Sequence, residues 1–473
     1  MSFLMTLADL GTATGGQLID ASGKLSAELL EQTFNNLATD TRKVRPGDVF
    51  LALSGEHFDG HDFCQQAIDS GAIAVVVERE LALEPSVVQC VVGSCHLALG
   101  QIAKYNRNQY QGPLIAVTGS NGKTTTKEII AAILSVKGPT LATKGNLNNE
   151  IGVPLTLLEF NREHRYSIVE MGANASGEIA YCTALAQPDV AIITNAMAAH
   201  LQGFGSLQGV VAAKGEIFQG LKEAGVAILN LDDQNVAQWQ AMLGARKTLT
   251  FSLHNTEADV YATDLKQLPA GNYQFTLNYR AASAELISKS VKLQLLAIHN
   301  VANALAAAAS VFAIGASVEE VVTGLENAAA INGRLKALGG LNQSTVIDDS
   351  YNGNPDSVKA GLDFLAQLTG RKILALGDMA ELGADEQQLH KSVGAYAAQQ
   401  NIDYLFSCGP LGALAATEFA DLTAKPANAF NSQQEMINQL KTMMNSDTKV
   451  LVKGSLSAAM KKVVTELTPE VLR

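Results

Sequence analysis

The chain has 473 residues, of which 47% are hydrophobic and 17% are charged, and its formal net charge is −12. This length exceeds what one hydrophobic core normally supports, so we expect two or three domains. The composition argues against long disordered segments. The negative charge argues against nucleic acid as a partner, because nucleic-acid-binding proteins usually carry basic patches.

The cysteines and the apolar segments indicate the compartment. Five cysteines are scattered along the chain without the spacing of a metal site or the density of a disulfide framework, which is typical of core residues in a reducing compartment. Residues 1–10 carry no basic side chain and contain Asp9, so they do not resemble a signal peptide. No apolar run reaches the roughly 18 residues that a bilayer span requires. We therefore expect a cytoplasmic protein without a membrane segment.

The first part of the chain predicts a small α/β domain. Residues 48–53 and 72–77 have the apolar composition of strands, and residues 63–70 between them favour a helix. A further helix is predicted at residues 96–107, and the polar residues 108–113 lead into the next strand. We place the first domain boundary after residue 92, so that this domain covers residues 1–92.

The central part of the chain, residues 93–331, predicts a parallel, doubly wound sheet. Apolar runs rich in β-branched residues are separated by intervals of helix length. These runs lie at residues 114–118, 166–169, 190–194 and 226–229. Alternating polar and apolar residues between 258 and 296 predict antiparallel strands added to this sheet, and the alanine-rich residues 300–313 predict a packed helix.

Polar residues stand at the end of each of these runs. The first run ends at Thr118 before a glycine-rich loop, and the others are followed by Glu170, Asn195 and Asn230. In open parallel sheets, ligands bind outside the carboxyl ends of the strands. One crevice is therefore expected to collect these side chains.

A third α/β domain is predicted at residues 332–473. Its strands are predicted at residues 345–347, 372–376, 404–407 and 449–452. These strands also end on polar or glycine positions, such as Asp348-Asp349 and Lys453-Gly454-Ser455. The fold class predicted for the whole chain is α/β, with three domains and a central doubly wound parallel sheet.

A phosphate-binding loop is predicted between the first central strand and a helix that runs toward Val136. The loop consists of Gly119, Ser120, Asn121, Gly122, Lys123, Thr124 and Thr125. Backbone amides at a helix N-terminus form an anion site, and glycines let that backbone approach phosphates closely. We expect Lys123 to contact the β- and γ-phosphates of ATP and the Thr124 hydroxyl to coordinate Mg²⁺. The general motif has glycine where Val117 stands, so a purely structural turn is the alternative.

Side chains outside the loop are candidates for the same site. Glu170 is expected beside the loop, where a carboxylate can hold Mg²⁺; the alternative is a solvated residue at a strand end. His200 follows the next strand, although a lone histidine is more often a structural hydrogen-bonding residue. Lys214 would ordinarily be an exposed helix lysine. Asn300 and Asn303 begin the alanine-rich helix and fit either an N-cap or an adenine contact.

Several short motifs lie along the chain outside the phosphate loop. They are Asp40-Thr41-Arg42, residues 145–154 (Gly-Asn-Leu-Asn-Asn-Glu-Ile-Gly-Val-Pro), Glu170-Met171-Gly172, Ala213-Lys214-Gly215-Glu216, and residues 348–355 and 377–383. In these motifs and in the loop, the sequence resembles the Mur ligases. The resemblance implies a UDP-sugar-binding first domain, a central phosphate-loop ATPase and a mobile Rossmann-like third domain.

The resemblance also implies a reaction. ATP phosphorylates the terminal carboxylate of UDP-N-acetylmuramoyl-tripeptide, and the amine of D-alanyl-D-alanine attacks the acyl phosphate to give a cell-wall precursor. A carboxylate is a poor electrophile, whereas its phosphoric anhydride has a good leaving group, and Lys123 and Mg²⁺ would stabilise the developing charge. We expect the enzyme to be a monomer that uses ATP and Mg²⁺, with no nucleic acid or membrane as a partner.

Roles for individual residues come from the same resemblance. Those implied to contact uridine diphosphate are Thr41 and Arg42, and those implied to contact substrate or phosphate are Asn146, Asn148 and Asn149, for which loop capping is the alternative. Glu170 and His200 are implied ligands of a second Mg²⁺, and Lys214 aligns with a lysine that is carbamylated in related ligases. Adenosine or phosphate contacts are implied for Asn300, Asn303, Arg334 and Asp349, and contacts with the dipeptide for Tyr351, Asn352, Asn354 and Ser357. The sequence departs from the family at Ala198, Ala297 and Asn332.

Alternative functions remain open at this point. A ligase that adds the third amino acid usually carries an Asp-Asn-Pro-Arg-like motif, which the sequence lacks. A folylpolyglutamate synthase lacks a first domain with the Asp-Thr-Arg segment. A nucleotide-driven switch would hydrolyse ATP without either substrate, whereas a ligase would release phosphate only with both.

Overall fold

The computed structural model describes residues 3–20, 25–84, 87–198, 201–281, 283 and 285–469. Over these ranges the chain forms three α/β units, each built around its own main sheet. In the same ranges, no helix combines the length and the apolar character that crossing a membrane requires. The predicted α/β class with three sheet-centred units is confirmed.

The N-terminal unit has a mostly parallel sheet in the order β2-β9-β8-β5-β4. Its elements are β1 (Met5–Thr6), α1 (Leu7–Thr14), β2 (Gln17–Ile19), α2 (Ala27–Leu30), β3 (Thr33–Phe34), β4 (Leu37–Ala38), β5 (Val49–Leu51), β6 (Ser54–Gly55), β7 (Phe58–Asp59), α3 (Cys64–Asp69), β8 (Ala74–Val77), β9 (Val88–Val91) and α4 (Cys95–Gln109). Strands β5 and β8 are entirely buried, as their runs of Val, Leu, Ala and Phe predict.

The central unit has a sheet in the order β11-β12-β10-β13-β14-β15-β16-β17-β18, with parallel pairing from β11 to β16 and antiparallel pairing beyond. Its elements are β10 (Leu114–Thr118), α5 (Lys123–Lys137), β11 (Thr140–Ala142), α6 (Gly152–Leu158), β12 (Tyr166–Glu170), α7 (Glu178–Ala186), β13 (Val190–Ile193), α8 (Leu201–Phe204), α9 (Leu207–Gly215), β14 (Val226–Asn230), α10 (Val236–Leu243), β15 (Lys247–Ser252), β16 (Val260–Gln267), β17 (Asn272–Arg280), β18 (Leu286–Leu296), α11 (His299–Phe312) and α12 (Val318–Asn327).

Strand β10 shows why this sheet is covered on both faces. Ile115 and Val117 belong to a core that includes residues of α5, α11 and α12, whereas Leu114 and Ala116 belong to a core that includes residues of α7 and α9. Successive side chains of a strand point to opposite faces, so a strand buried on both faces needs a continuous apolar run. The predicted parallel sheet, appended antiparallel strands and alanine-rich helix are confirmed.

The C-terminal unit has a sheet in the order β19-β20-β24-β21-β22-β23, in which only β19 pairs antiparallel. Its elements are β19 (Lys336–Gly339), β20 (Thr345–Asp349), α13 (Pro355–Gln367), β21 (Arg371–Gly377), α14 (Glu386–Gln399), β22 (Tyr404–Cys408), α15 (Pro410–Thr423), β23 (Ala427–Phe430), α16 (Gln433–Met443), β24 (Thr448–Lys453) and α17 (Lys461–Leu467). The four predicted strands of this unit are β20, β21, β22 and β24.

The three main sheets occupy residues 17–91, 114–296 and 336–453. Helix α4 contacts α1 of the first unit and both α6 and α7 of the second, so it lies between them. The domain boundaries at 92/93 and 331/332 stay a prediction.

Candidate active site

Two glycines shape the turn between β10 and α5. Gly119 has φ +147° and Gly122 has φ +83°, and L side chains rarely adopt either value. A Cβ atom at Gly119 would collide with the Thr194 hydroxyl, and one at Gly122 would collide with the Asn303 amide oxygen. Glycine is therefore required at both positions for the loop to pass so close to its neighbours.

The end of β13 fixes the rest of the loop. The backbone amide of Ser120 donates to the Asn195 carbonyl at 2.9 Å, and that of Asn121 donates to Asn195 Oδ1 at 2.9 Å. The Thr194 hydroxyl donates to the Asn121 carbonyl at 2.6 Å. Thr194 and Asn195 thus position the loop, a role that the sequence did not predict although Asn195 was expected at this strand end.

Lys123 folds back over the loop. Its ammonium donates to the carbonyls of Gly119 and Ser120 at 2.6 and 3.1 Å. Burial, opposed by the charge of Glu170 and aided by that of Arg334, lowers the pKa of Lys123 to about 8. A polyphosphate anion would restore the charged form, because opposite charge favours ionisation.

Glu170, at the end of β12, is only 1% exposed. Its Oε1 accepts hydrogen bonds from the Thr124 hydroxyl at 3.1 Å and from Asn148 Nδ2 at 2.8 Å. Its Oε2 is buried and has no hydrogen-bond partner among the described residues. The interpretation of Glu170 as a solvated residue is therefore wrong.

The residues around Glu170 fit a magnesium ion. An unpaired buried carboxylate oxygen beside the Thr124 hydroxyl supplies the hard oxygen ligands that Mg²⁺ prefers. Within the described ranges, no group of three or more His, Cys, Asp or Glu side chains forms a metal cage. Mg²⁺ is usually held by one or two carboxylates together with substrate phosphates. His200, the other predicted ligand, lies outside the described residues.

Lys214, on α9, is also only 1% exposed, so the interpretation as an exposed helix lysine is wrong. Its ammonium nitrogen lies 5.2 Å from the ring centroid of Phe204. Burial lowers the pKa of Lys214 to about 7, and the charge of Lys123 contributes in the same direction. A neutral amine is the form that reacts with carbon dioxide, so the predicted carbamylation is chemically reasonable and stays a prediction.

A cavity of about 920 Å³ opens at the carboxyl ends of the central and C-terminal sheets. The predicted site residues that line it are Ser120, Asn121, Gly122, Lys123, Thr124, Thr125, Asn146, Asn148, Asn149, Glu170, Asn300, Asn303, Arg334, Asp349, Tyr351, Asn352, Asn354 and Ser357. The expectation that polar strand ends meet in one crevice is confirmed. Of the other described candidates, Gly119, Lys214, Thr41 and Arg42 do not line the cavity.

Arg334 connects the C-terminal unit to the phosphate loop. Its Nη2 donates to the Thr124 hydroxyl at 3.3 Å, and its guanidinium lies 4.2 Å from the ring centroid of Tyr351. The flanking amides of Gly333 and Leu335 donate to the carboxylates of Asp348 and Asp349, respectively, at 2.8 and 3.1 Å. The segment that carries Arg334 is therefore fixed to the C-terminal unit.

Asn354 makes a second connection. Its Nδ2 donates to Asn121 Oδ1 at 2.9 Å, while its Oδ1 caps α13 by accepting from the Ser357 amide at 2.8 Å. The Ser357 hydroxyl accepts from the Asn354 amide at 3.0 Å, which completes a capping box. Asn354 and Ser357 therefore have structural roles in addition to their predicted contacts with the dipeptide.

Lys453 is a buried residue of the cavity wall that the sequence did not identify as a site residue. Its ammonium donates to Asp349 Oδ2 at 2.6 Å and to the Asn352 carbonyl at 3.0 Å. Asp349 and Lys453 are direct neighbours at the ends of β20 and β24. The position of Lys453 at the end of a predicted strand, before Gly454-Ser455, was the available signal.

The asparagines of α11 do not form an N-cap, because the helix begins at His299 and the capping position, Ile298, makes no side-chain cap. Asn300 Nδ2 donates to the Leu296 carbonyl at 2.7 Å, and Asn303 Nδ2 donates to Asn300 Oδ1 at 2.9 Å. The N-cap alternative is therefore wrong, and the adenosine contact stays a prediction.

In the loop before α6, the asparagines have separate roles. Asn149 Oδ1 accepts from the Gly152 amide at 2.9 Å, which is the capping role considered as an alternative. Asn148 contacts Glu170, and Asn146 is exposed on the cavity wall. The contacts of these asparagines with substrate or phosphate stay a prediction.

Family models match three successive parts of the chain. They are described as Mur ligase family, catalytic domain (residues 33–109), Mur ligase middle domain (117–311) and Mur ligase, glutamate ligase domain (333–456). A relative from Escherichia coli, named UDP-N-acetylmuramoyl-tripeptide--D-alanyl-D-alanine ligase, is 41% identical over 471 residues, which cover 98% of each chain. This chain belongs to the Mur ligase family.

Solved structures of Mur ligases have the same fold. A crystal structure of MurF from Acinetobacter baumannii matches with a TM-score of 0.89 at 36% identity, and the match covers 98% of both chains. A MurF ligase from Thermotoga maritima in complex with ADP matches with a TM-score of 0.81 at 27% identity, over 91% of this chain and 96% of that chain.

The Mur ligase residues predicted to contact uridine diphosphate lie in the N-terminal unit, on a short turn after β4. The Thr41 hydroxyl donates to Gln66 Oε1 at 3.3 Å. The exposed Arg42 side chain pairs with both oxygens of Asp40, from Nε at 2.9 Å and from Nη2 at 2.8 Å. Hydrogen bonding by Arg42 lowers the pKa of Asp40 to about 2. The predicted role of this turn stays a prediction.

Proposed function

We propose that this protein is an ATP-dependent ligase that joins D-alanyl-D-alanine to UDP-N-acetylmuramoyl-tripeptide. The product is the pentapeptide precursor of peptidoglycan, with ADP and phosphate released. Relatives with this name cover nearly the full length of the chain, including one from Bacillus subtilis that is 35% identical over 94% of this chain. The ADP bound by the related ligase from Thermotoga maritima supports nucleotide binding here.

One observation carries the proposal. A single cavity is lined by the phosphate loop, by a buried carboxylate with an unpaired oxygen, and by side chains of the C-terminal unit. A ligase of this type must hold a triphosphate, a carboxylate and an amine within bonding distance of one another. The cavity volume of about 920 Å³ is at the upper end of the usual range for small-molecule sites.

The residues divide the work of the first step. A carboxylate oxygen of the tripeptide attacks the γ-phosphorus of ATP, and the bond from that phosphorus to the β-phosphate oxygen breaks, which releases ADP. The backbone amides at the start of α5 and the Lys123 ammonium would bind the phosphates, and Arg334 lies beside them at the Thr124 hydroxyl. Glu170 and Thr124 would hold Mg²⁺, which would supply positive charge opposite the phosphate oxygens.

In the second step, the amine nitrogen of D-alanyl-D-alanine attacks the acyl carbon. The bond from that carbon to the phosphate oxygen breaks, phosphate leaves, and the amine nitrogen gives a proton to water. The contribution of the C-terminal unit is to position the dipeptide, for which Tyr351, Asn352, Asn354 and Ser357 line the cavity.

The proposal extends to the setting of the enzyme. All five cysteines are free, which agrees with a reducing cytoplasm. We assign the three domains as residues 1–92 for the UDP-sugar, 93–331 for ATP and 332–473 as the Rossmann-like domain, in a monomer. Light scattering of the purified protein tests the oligomeric state.

A coupled assay tests the reaction. Purified protein is incubated with Mg²⁺-ATP, UDP-N-acetylmuramoyl-tripeptide and D-alanyl-D-alanine, and ADP, phosphate and the ligated product are measured, the product by its mass. We expect phosphate release only when both substrates are present, and none from Lys123→Ala. Phosphate release without either substrate would instead indicate a nucleotide-driven switch. Tripeptides ending in lysine and in diaminopimelate are compared in parallel.

A further inference from the structure

We infer that Asn148 is a positioning residue for the metal-binding carboxylate. It holds Glu170 so that one oxygen is occupied and the other is left open toward Mg²⁺. This inference rests on the proposed function, because the magnesium belongs to the ATP site. It assigns Asn148 a role toward the protein's own carboxylate instead of a direct contact with substrate or phosphate.

The two oxygens of Glu170 have different surroundings. Oε1 accepts from Asn148 Nδ2 at 2.8 Å and from the Thr124 hydroxyl at 3.1 Å, whereas Oε2 is buried without a partner in the part of the chain that the structure describes. An unpaired carboxylate oxygen costs free energy when it is buried, so it indicates a missing ligand. The two donors on Oε1 hold the carboxylate in one orientation, so that Oε2 stays available as a metal ligand.

The backbone around Asn148 is built to hold its side chain in place. The Gly172 amide donates to the Asn148 carbonyl at 2.7 Å, just beyond the end of β12. A Cβ atom at Gly172 would lie 3.1 Å from Asn148 Cγ, which is tighter than ordinary van der Waals contact. Glycine at position 172 therefore leaves the space that the amide of Asn148 occupies.

A second connection fixes the same loop to Glu170. The Glu170 amide donates to the Thr143 hydroxyl at 3.0 Å, and the Thr143 carbonyl accepts from the buried ammonium of Lys127 at 2.6 Å. Lys127 lies one turn after Lys123 in α5. The loop that carries Asn148 is thus attached both to the strand that ends at Glu170 and to the helix that begins at the phosphate loop.

Such outer contacts tune metal affinity. Residues that orient a metal ligand through a hydrogen bond typically change metal affinity or activity by about 10- to 100-fold when they are removed. Loss of the Asn148 amide would leave Glu170 with the Thr124 hydroxyl alone on Oε1. The carboxylate could then turn away from the metal.

The test measures how strongly Mg²⁺ tightens the binding of a non-hydrolysable ATP analogue. The dissociation constant of the analogue is determined by calorimetry in EDTA and in saturating Mg²⁺, for the wild type and for Asn148→Ala. We expect an unchanged constant in EDTA and a Mg²⁺-dependent tightening that is smaller by about 10- to 100-fold. Lys144→Ala, in the same loop, breaks only the exposed pair with Glu159 and should behave as the wild type.

Two further variants keep the test decisive if Asn148→Ala does not fold. Asn148→Ser removes the amide while keeping a small polar side chain, and Gly172→Ala crowds the intact amide. Both should weaken the effect of Mg²⁺ and leave binding in EDTA unchanged.

Other outcomes would overturn the inference. If the variant bound the ATP analogue equally weakly with and without Mg²⁺, Asn148 would be a phosphate contact. If both dissociation constants were unchanged but the KM for the UDP-linked substrate rose, Asn148 would be a substrate contact. No Mg²⁺ effect in the wild type would remove the metal from Glu170. The proposed function fails separately, if the wild type binds Mg²⁺ and nucleotide but forms no ligated product.

Discussion

The charge state of Lys123 gives a quantitative prediction for nucleotide binding. In the nucleotide-free protein, burial lowers the pKa of Lys123 to about 8. Phosphate oxygens bind the ammonium form, so nucleotide should raise this pKa again. Because the shift in the free protein is downward, the loss of affinity begins as pH rises through about 8, far below the ordinary lysine range.

The magnitude follows from proton linkage. The observed dissociation constant is multiplied by a factor of one plus the ratio of neutral to protonated Lys123. For a pKa of about 8, this factor is roughly 1.1 at pH 7, 2 at pH 8 and 11 at pH 9. Affinity for ADP should therefore fall roughly tenfold between pH 7 and pH 9. At pH 8, binding should take up roughly half a proton.

Calorimetry in EDTA measures both quantities, since titrations in buffers of different ionisation enthalpy report the proton uptake. Lys123→Arg is the matched control, because guanidinium stays protonated throughout this range. Its affinity should be lower, since the shape of the side chain differs, but independent of pH. A wild-type dissociation constant that is constant from pH 7 to pH 9, with no buffer-dependent heat, would refute the reasoning.

Two other sites give predictions of different kinds. With a pKa of about 7, Lys214 is roughly half neutral at pH 7, against roughly 1 in 3,000 at the ordinary value of 10.5. If carbamylation uses that neutral amine, Lys214→Met should lower kcat/KM by about 100-fold or more while leaving nucleotide binding in EDTA unchanged. A ¹³C-carbamate resonance that is present in the wild type and absent from the variant checks the cause. Near-normal turnover of the variant would contradict the prediction. In α12, a Cβ atom at Gly324 would collide with the backbone of Ile133 in α5. Gly324→Ala should therefore lower the free energy of unfolding, measured by urea denaturation, by about 1–3 kcal/mol. Thr323→Ala, at an exposed neighbouring position, should change the free energy of unfolding little. Equal stabilities would show that the helices can move apart at little cost.

The parts of the fold that the sequence predicts are those with a strong local signal. Strands β10, β12, β13 and β14 are buried, apolar runs in a sheet covered on both faces, so their composition identifies them. Short strands at or near the edges, such as β4 (Leu37–Ala38), β11 (Thr140–Ala142) and β23 (Ala427–Phe430), were not predicted. Two to four residues cannot show a period, and these strands form because a neighbouring strand offers hydrogen bonds.

The candidate site divides in the same way. The phosphate loop was predictable because glycines, lysine and threonine must lie close together in sequence to bind phosphate. The contacts that position it were not, because they join residues far apart in the chain: Asn195 accepts from Asn121 across 74 positions, and Asn354 donates to Asn121 across 233. Packing decides where the side-chain amide of an asparagine lies, and neither composition nor spacing predicts that position.

These long-range contacts also bring two units together at the proposed nucleotide site. Leu335 has φ +52°, an unfavourable value for a residue with a branched side chain, and its amide is held by Asp349 of the C-terminal unit. The preceding residue, Arg334, donates to the Thr124 hydroxyl of the central unit. If the C-terminal unit moved away, Arg334 would move with it, since both flanking amides are bound to that unit. The arginine therefore joins the phosphate loop only when the two units are docked, and the unit proposed to position the dipeptide is the same one that would complete the proposed site for ATP.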